Sequence, residues 1–179
     1  AKIEERLAKL VKYEEITDKI EFEIAAFLNE VTKGEISSIS ASRVKAMYKM
    51  IGEMESLGDS YEAISRIIGR SRAHGSTFDD NMRKNLGLLM DKVEDAFSAM
   101  IENLKVPYHL LKDISNATNA EHNINAMRDI LREGQIAAIE HASENTYLRS
   151  VYYMDTIAEL EKMGDYMINV SEAIVKAER

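Results

Sequence analysis

Apolar residues recur three and four positions apart from end to end of the chain, and that period predicts helices throughout. From Ile3 the positions Leu7, Leu10, Ile24, Leu28 and Val31 form a single stripe, which predicts a first long helix with one buried face. Gly34 and the serines at 37, 38 and 40 break it. A second helix is predicted over roughly 40–73, carrying Met47, Met50, Met54, Leu57, Tyr61, Ile64 and Ile68 along one side and ending in His74 and Gly75. Ser76 and Thr77 are expected to cap a third helix, roughly Phe78 to Leu104, with the face Met82, Leu86, Leu89, Val93, Phe97, Met100 and Leu104. Pro107 stops that helix and suits the first turn of a fourth. The fourth has a stop signal at Gly134, but the spacing of acids described below favours a run to about His141 with the break at 143–145. A fifth helix then continues to the C-terminus through Val151, Met154, Ile157, Met163, Ile168 and Ile174. No segment reads as a strand, so the expected fold class is all-α, built of long antiparallel helices.

Composition agrees: the 179 residues hold one proline and eight glycines, too few for a protein of many turns. With 23 Lys and Arg against 31 Asp and Glu the net charge is -8, which argues against a general grip on nucleic acid or anionic lipid. Zero cysteines exclude disulfides and thiol chemistry, so a metal here would be held by oxygen or imidazole. No apolar run approaches the roughly 18 residues of a membrane span, and no signal peptide opens the chain. The start at Ala1-Lys2-Ile3, without methionine and already helical in pattern, suggests an excerpt of a longer polypeptide.

Laid side by side, the helices repeat. Glu53-Met-Glu-Ser-Leu-Gly-Asp59 in the second helix returns as Glu159-Leu-Glu-Lys-Met-Gly-Asp165 in the fifth, Asp165 lying 106 positions after Asp59. Glu121 of the fourth helix lies 107 positions after Glu14 of the first. The repeated element is a pair of long helices, and a further helix precedes only the second pair. Residues 1–75 therefore read as a first three-helix unit without its first helix, and 76–179 as a complete second one.

Acids interrupt the apolar stripes at matching places. On the first helix the line Leu10, Glu14, Thr17, Glu21, Ile24 turns polar in its middle, with Asp18 one turn from Glu14. On the second the line runs Ile51, Glu55, Gly58, Glu62, with Asp59 one turn from Glu55, and the fifth repeats it through Glu161 and Asp165. Carboxylates four apart share a helix face about 6 Å apart along the axis. A hairpin centred near residue 36 or 37 would set Asp18 opposite Glu55 and Glu14 opposite Asp59. A turn near 143 would set Glu121 opposite Asp165 and Asn125 opposite Glu161. Acids four apart on a helix are usually a solvated face. Mirrored sets across two hairpins, with no basic residue on these lines in the first copy, point instead to a cation among Glu14, Asp18, Glu55 and Asp59, since buried like charges are costly unpaired. In the second copy, Glu121, Asn125, Glu161 and Asp165, an amide replaces one acid. There Arg128 stands where Glu21 stood and offers a salt bridge to Glu121 or Glu161 in place of a metal.

Other chemistry finds little support. His74, His109, His122 and His141 lack the spacing of a di-iron site, and neither a phosphate-binding glycine loop nor a nucleophile elbow occurs. Arg66, Arg70, Arg72 and His74 read as cations closing a helix C-terminus. The methionines at 47, 50, 54, 163 and 167 read as core filling. Asp91 and Asp95 lie on a wet face of the third helix.

The Glu55-Ser-Leu-Gly-Asp59 and Glu161-Lys-Met-Gly-Asp165 motifs, with their partner pairs Glu14/Asp18 and Glu121/Asn125, resemble the acidic motifs of the PhoU-like phosphate-uptake-regulator family across essentially the whole chain. The texture of Tyr13 to Asp18, Met100 to Leu104 and Tyr152 to Ile174 is similar to the cytoplasmic C-terminal domain of bacterial sodium/phosphate cotransporter proteins. The resemblance implies tandem three-helix bundles with five of six helices present, iron or zinc held at the acidic motifs, and a regulatory rather than catalytic role in phosphate uptake. It also implies a phosphate transporter membrane domain in the same polypeptide as partner and a full-length protein in the inner or plasma membrane; a homodimer is left open by the sequence. Ser56 and Lys162 depart from the arginine usual in that family, and Asn125 from the acid. Carboxylate oxygens alone admit Mg, Ca, Mn, Fe or Zn. A carboxylate-metal enzyme and a metal-free helical adaptor are the alternative readings.

Overall fold

The computed structural model describes residues 2–139 and 144–177, and these form five helices: α1 Lys2–Val31, α2 Ser38–Ala73, α3 Asp80–Lys105, α4 Ser115–Ile139 and α5 Glu144–Lys176. The fold is all-α, as the periodicity predicts. Gly134 lies inside α4 and does not end it, while His141 and Ser143, where that helix and its break were expected to end, fall outside the described residues.

Two helix starts differ from expectation. Asp79, not Ser76 or Thr77, caps α3, its carboxylate accepting the Met82 N–H at 2.9 Å. An acid there also complements the helix N-terminus. Ser76 is taken up in the end of α2 instead: Gly75 adopts φ +64, the Ser76 N–H reaches the Ser71 carbonyl at 2.9 Å, and the Ser71 hydroxyl donates to the Ser76 carbonyl. Pro107 does not open α4. It closes an isolated turn by accepting the Leu110 N–H, and α4 begins at Ser115, whose N–H is accepted by Asp113 at 2.8 Å.

Contacts across the helices fix their directions. Glu53 accepts from Asn169 and Glu159 accepts from Ser60, so α2 and α5 run antiparallel. Asn103 is hydrogen-bonded to both Asn116 of α4 and Ser171 of α5, making α3 antiparallel to α4 and parallel to α5. Helix α5 packs on α2, α3 and α4, α3 packs on α4, and α1 packs on α2 alone. Surrounded on three sides, α5 carries the centre of the core: Tyr153, Ile157, Leu160, Met163, Met167 and Val170 are almost fully buried, with Leu89, Val93, Met100 and Ile124 against them. On α1, by contrast, Leu28 is the fully buried side chain among those described, while Ile24 and Val31 of the expected stripe are exposed. A stripe is buried only as far as another element covers it, and α2 covers α1 along one edge.

Candidate metal centre

The repeat is visible in the packing. A Cβ added to Gly58 would stand 2.5 Å from Thr17 Oγ1, and one added to Gly164 would stand 2.9 Å from Ile124 Cδ1. Gly164 follows Gly58 by 106 positions and Ile124 follows Thr17 by 107, so each glycine lets its helix close on the equivalent residue of its hairpin partner. In both hairpins the glycine precedes the aspartate of the acidic motif, and close approach of the backbones carries that aspartate to the partner helix.

In the first hairpin, carboxylate oxygens of Glu14, Asp18 and Asp59 lie within 4.8 Å of one another. The register differs from the expected one by about a turn's fraction: Gly58 stands against Thr17, and the Tyr48 hydroxyl is bonded to Asn29 and the Ala25 carbonyl. Asp59 therefore sits between the levels of Glu14 and Asp18, rather than opposite Glu14 alone. Glu55 is displaced toward Glu21. Burial, then the charges of Asp59, Glu21 and Asp18, hold the Glu55 carboxyl above its ordinary value. Glu14 is likewise raised, by loss of water and then by Asp18, Glu62 and Asp59. Each of these influences disfavours a second negative charge. Among the described ion pairs, Arg66 is joined to Glu62 and Lys19 to Glu23 nearby, and none reaches Glu14, Asp18, Glu55 or Asp59.

Contrary to the expectation of a buried cluster, Asp18 and Asp59 are exposed and Glu14 is half-buried, because α1 is covered along one edge only. Water therefore relieves part of their repulsion, while the donor set by its geometry fits a hard cation. Oxygens bound to one ion at about 2.0–2.6 Å lie no more than about 4–5 Å apart, which the observed triad satisfies. Three carboxylates over-neutralise a divalent ion, and Glu55 close by leaves room for a trivalent ion or a second one. Glu21 and Glu62 contribute to the field of the site although the mirrored-pair reading of the sequence did not select them. The signal was there, for both interrupt the same apolar lines one turn beyond the chosen acids.

The second hairpin resolves its charges with protein groups. Arg128 is ion-paired with Glu161, bonds the Asn125 amide oxygen at 3.1 Å, and lies 2.9 Å from Asp129, while the Asn125 amide nitrogen donates to Glu121. Burial opposes the charge of Arg128, but Asp129 and Glu161 outweigh it and hold the guanidinium above its ordinary value. Asp165 is raised by burial and by Glu161 and Glu121, with Arg128 pulling the other way. Glu121, Asn125, Glu161 and Asp165 are thus neighbours, as the repeat predicts, but a guanidinium stands among them, at the position where the first copy has Glu21. Among the described residues, the acidic group able to gather on one point is that of the first copy. His74 shares a hydrogen bond with Tyr152 and takes no part in either hairpin centre.

The chain matches no family model, no curated protein and no solved structure.

Proposed function

We propose that this chain is a metal-binding regulatory domain of PhoU-like type, the cytoplasmic part of a sodium/phosphate cotransporter whose membrane domain belongs to the same polypeptide, and that it acts by regulation rather than catalysis. The observation that carries the reading is the convergence of Glu14, Asp18 and Asp59 from α1 and α2, which no described ion pair reaches, beside a repeated copy in which Arg128 is ion-paired with Glu161. A bound ion would tie α1 to the rest of the molecule through Asp59. Regulation follows if the transporter prefers one disposition of that hairpin, because a ligand shifts an equilibrium only by its differential affinity for the two states. The resemblance of the acidic motifs supplies the link to phosphate and to iron or zinc.

Metal analysis and melting of the purified domain test the site. At a hundredfold excess over Kd an ion adds about 2.7 kcal/mol, or about 5–10 °C for a chain of this size, and Asp18→Asn with Asp59→Asn is expected to abolish that rise together with the bound metal. An equal rise in the double variant overturns the site. Sodium-dependent phosphate uptake by cells carrying the full-length protein tests the role: the same variant is expected to uncouple uptake from phosphate supply, and unchanged control overturns the regulatory reading.

A further inference from the structure

The repeat that matches α2 with α5 also matches the two ends of the seam between them. The helices run antiparallel and correspond at an offset of 106, so Lys45, Ala46 and Lys49 of α2 match Val151, Tyr152 and Asp155 of α5, while Ala173 and Lys176 of α5 match Ile67 and Arg70 of α2. A groove lies at each end. The one at the C-terminal end of α2, about 320 Å³, is lined by Arg66, Arg70 and Lys162 together with Asp155 and Glu159, so its cations meet acids inside the groove. The one at the N-terminal end of α2, about 280 Å³, is lined by Ser42, Lys45, Ala46, Lys49, Ala173 and Lys176, and no acid is among them. Where the far end sets Asp155 in the groove with Arg70, this end sets Lys49 with Lys176.

We infer that this groove binds a phosphate group, carried as the free anion or as the monoester of a lipid headgroup, through the ammonium groups of Lys45, Lys49 and Lys176 and the hydroxyl of Ser42. The lysines are neutralised only in part, and from outside the groove. Lys176 is bonded to Glu172 at 2.7 Å, Lys49 stands 4.0 Å from Glu53, which also accepts from Asn169, and no ion pair among the described residues reaches Lys45. Lys45 and Lys49 lie one turn apart on the same face and repel each other, Lys176 adds a third charge from across the seam, and the first turn of α2 holds no acid. An anion seated among them relieves that repulsion. The floor leaves it room, since the buried Ala46 and Ala173 stand where the far end has the larger Tyr152 and Ile67. Phosphate fits such a set because its several oxygens accept from donors on two helices at once, and lysine binds it as a point charge. A nucleic-acid backbone fits less well, for it would run past the groove over a chain of net charge -8. The inference stands apart from the proposed function, since it uses neither the acids of the first hairpin nor the family resemblance.

Two arms separate the sources, both with the whole chain in chelator at constant ionic strength. Inorganic phosphate is titrated calorimetrically, and phosphatidylcholine vesicles with and without phosphatidic acid are tested by co-sedimentation. Binding of inorganic phosphate assigns the groove to the free anion, and binding only of vesicles that carry phosphatidic acid assigns it to a headgroup; either supports the inference. Lys45→Gln with Lys49→Gln changes two exposed side chains and is expected to weaken that binding about tenfold or more, with the circular dichroism unchanged. Lys49→Asp, which copies the charge pattern of the far end, is expected to do the same. Lys12→Gln with Lys19→Gln removes equal charge from exposed positions on α1 and is expected to leave binding as it was. Binding in neither arm, equal binding by the Lys45 and Lys49 variant, or an equal loss in the α1 variant overturns the inference.

Discussion

Glu55 is where the unbalanced charge of the first hairpin is most exposed to test. Its carboxyl is held above the ordinary value of 4.5, chiefly by burial and then by three neighbouring acids. A folded-state value above the unfolded one means the folded chain holds that proton longer, so folding gains nothing from this group's ionisation and loses stability as pH rises through 4.5 and past the raised value. Glu55→Gln removes the loss. In chelator the variant is expected to melt above the parent at pH 7 and together with it below pH 4, as read by circular dichroism; a gap that persists at low pH would show that packing, not charge, is responsible. Excess divalent metal should narrow the gap at pH 7. Arg128 marks the same physics solved differently, for it neutralises Glu161 with a side chain and makes an ion unnecessary there. That Arg128 would choose Glu161 over Glu121 was not legible from sequence, because both lie within its reach and only the fixed backbone positions select one. Glu21 and Glu62 were legible as polar interruptions, but their place beside the acids depends on a register that sequence symmetry predicts only to within two residues.

At the scale of elements, helix content and order follow from periodicity, whereas starts and stops depend on which of several polar residues wins a local contest. Asp79 wins over Ser76 and Thr77 because the end of α2 already uses Ser76, and Asp113 defers the start of α4 past Pro107. The two helix-packing glycines make a sharper test. Gly58→Ala puts a Cβ 2.5 Å from Thr17 Oγ1, so α1 must move away from α2, which costs about 1–3 kcal/mol against a helix-propensity gain of about 1. Gly52→Ala, on the same helix with open space around it, keeps the gain and is expected to stabilise by about 0.5–1 kcal/mol. Urea melts of the two variants should therefore move in opposite directions, and only Gly58→Ala should blunt the response to metal, since only it pulls Asp59 from Glu14 and Asp18. Movement in the same direction would deny the glycine its role in closing the hairpin.

Taken as a whole, the molecule has a centre and an arm. Helix α5 is enclosed by α2, α3 and α4, while α1 leans on α2 alone with Phe22 and Phe27 in solvent. Local opening is cheapest where few apolar contacts must break, so amide exchange is expected to be fastest along α1 and slowest along α5. Divalent metal should slow exchange around residues 14–18 and leave α5 unchanged; uniform slowing would place the ion elsewhere. The sequence by itself determined the helical class, the five helices in order, the two-fold repeat and the acids belonging to it, because period and spacing are properties of a line of residues and survive any arrangement in space. The tertiary structure decided the register that brings Asp59 between Glu14 and Asp18, the partner of Arg128, and the open side of the first hairpin. Those depend on how closely backbones approach and on which faces find a neighbour, and both are set by distances between residues far apart along the chain.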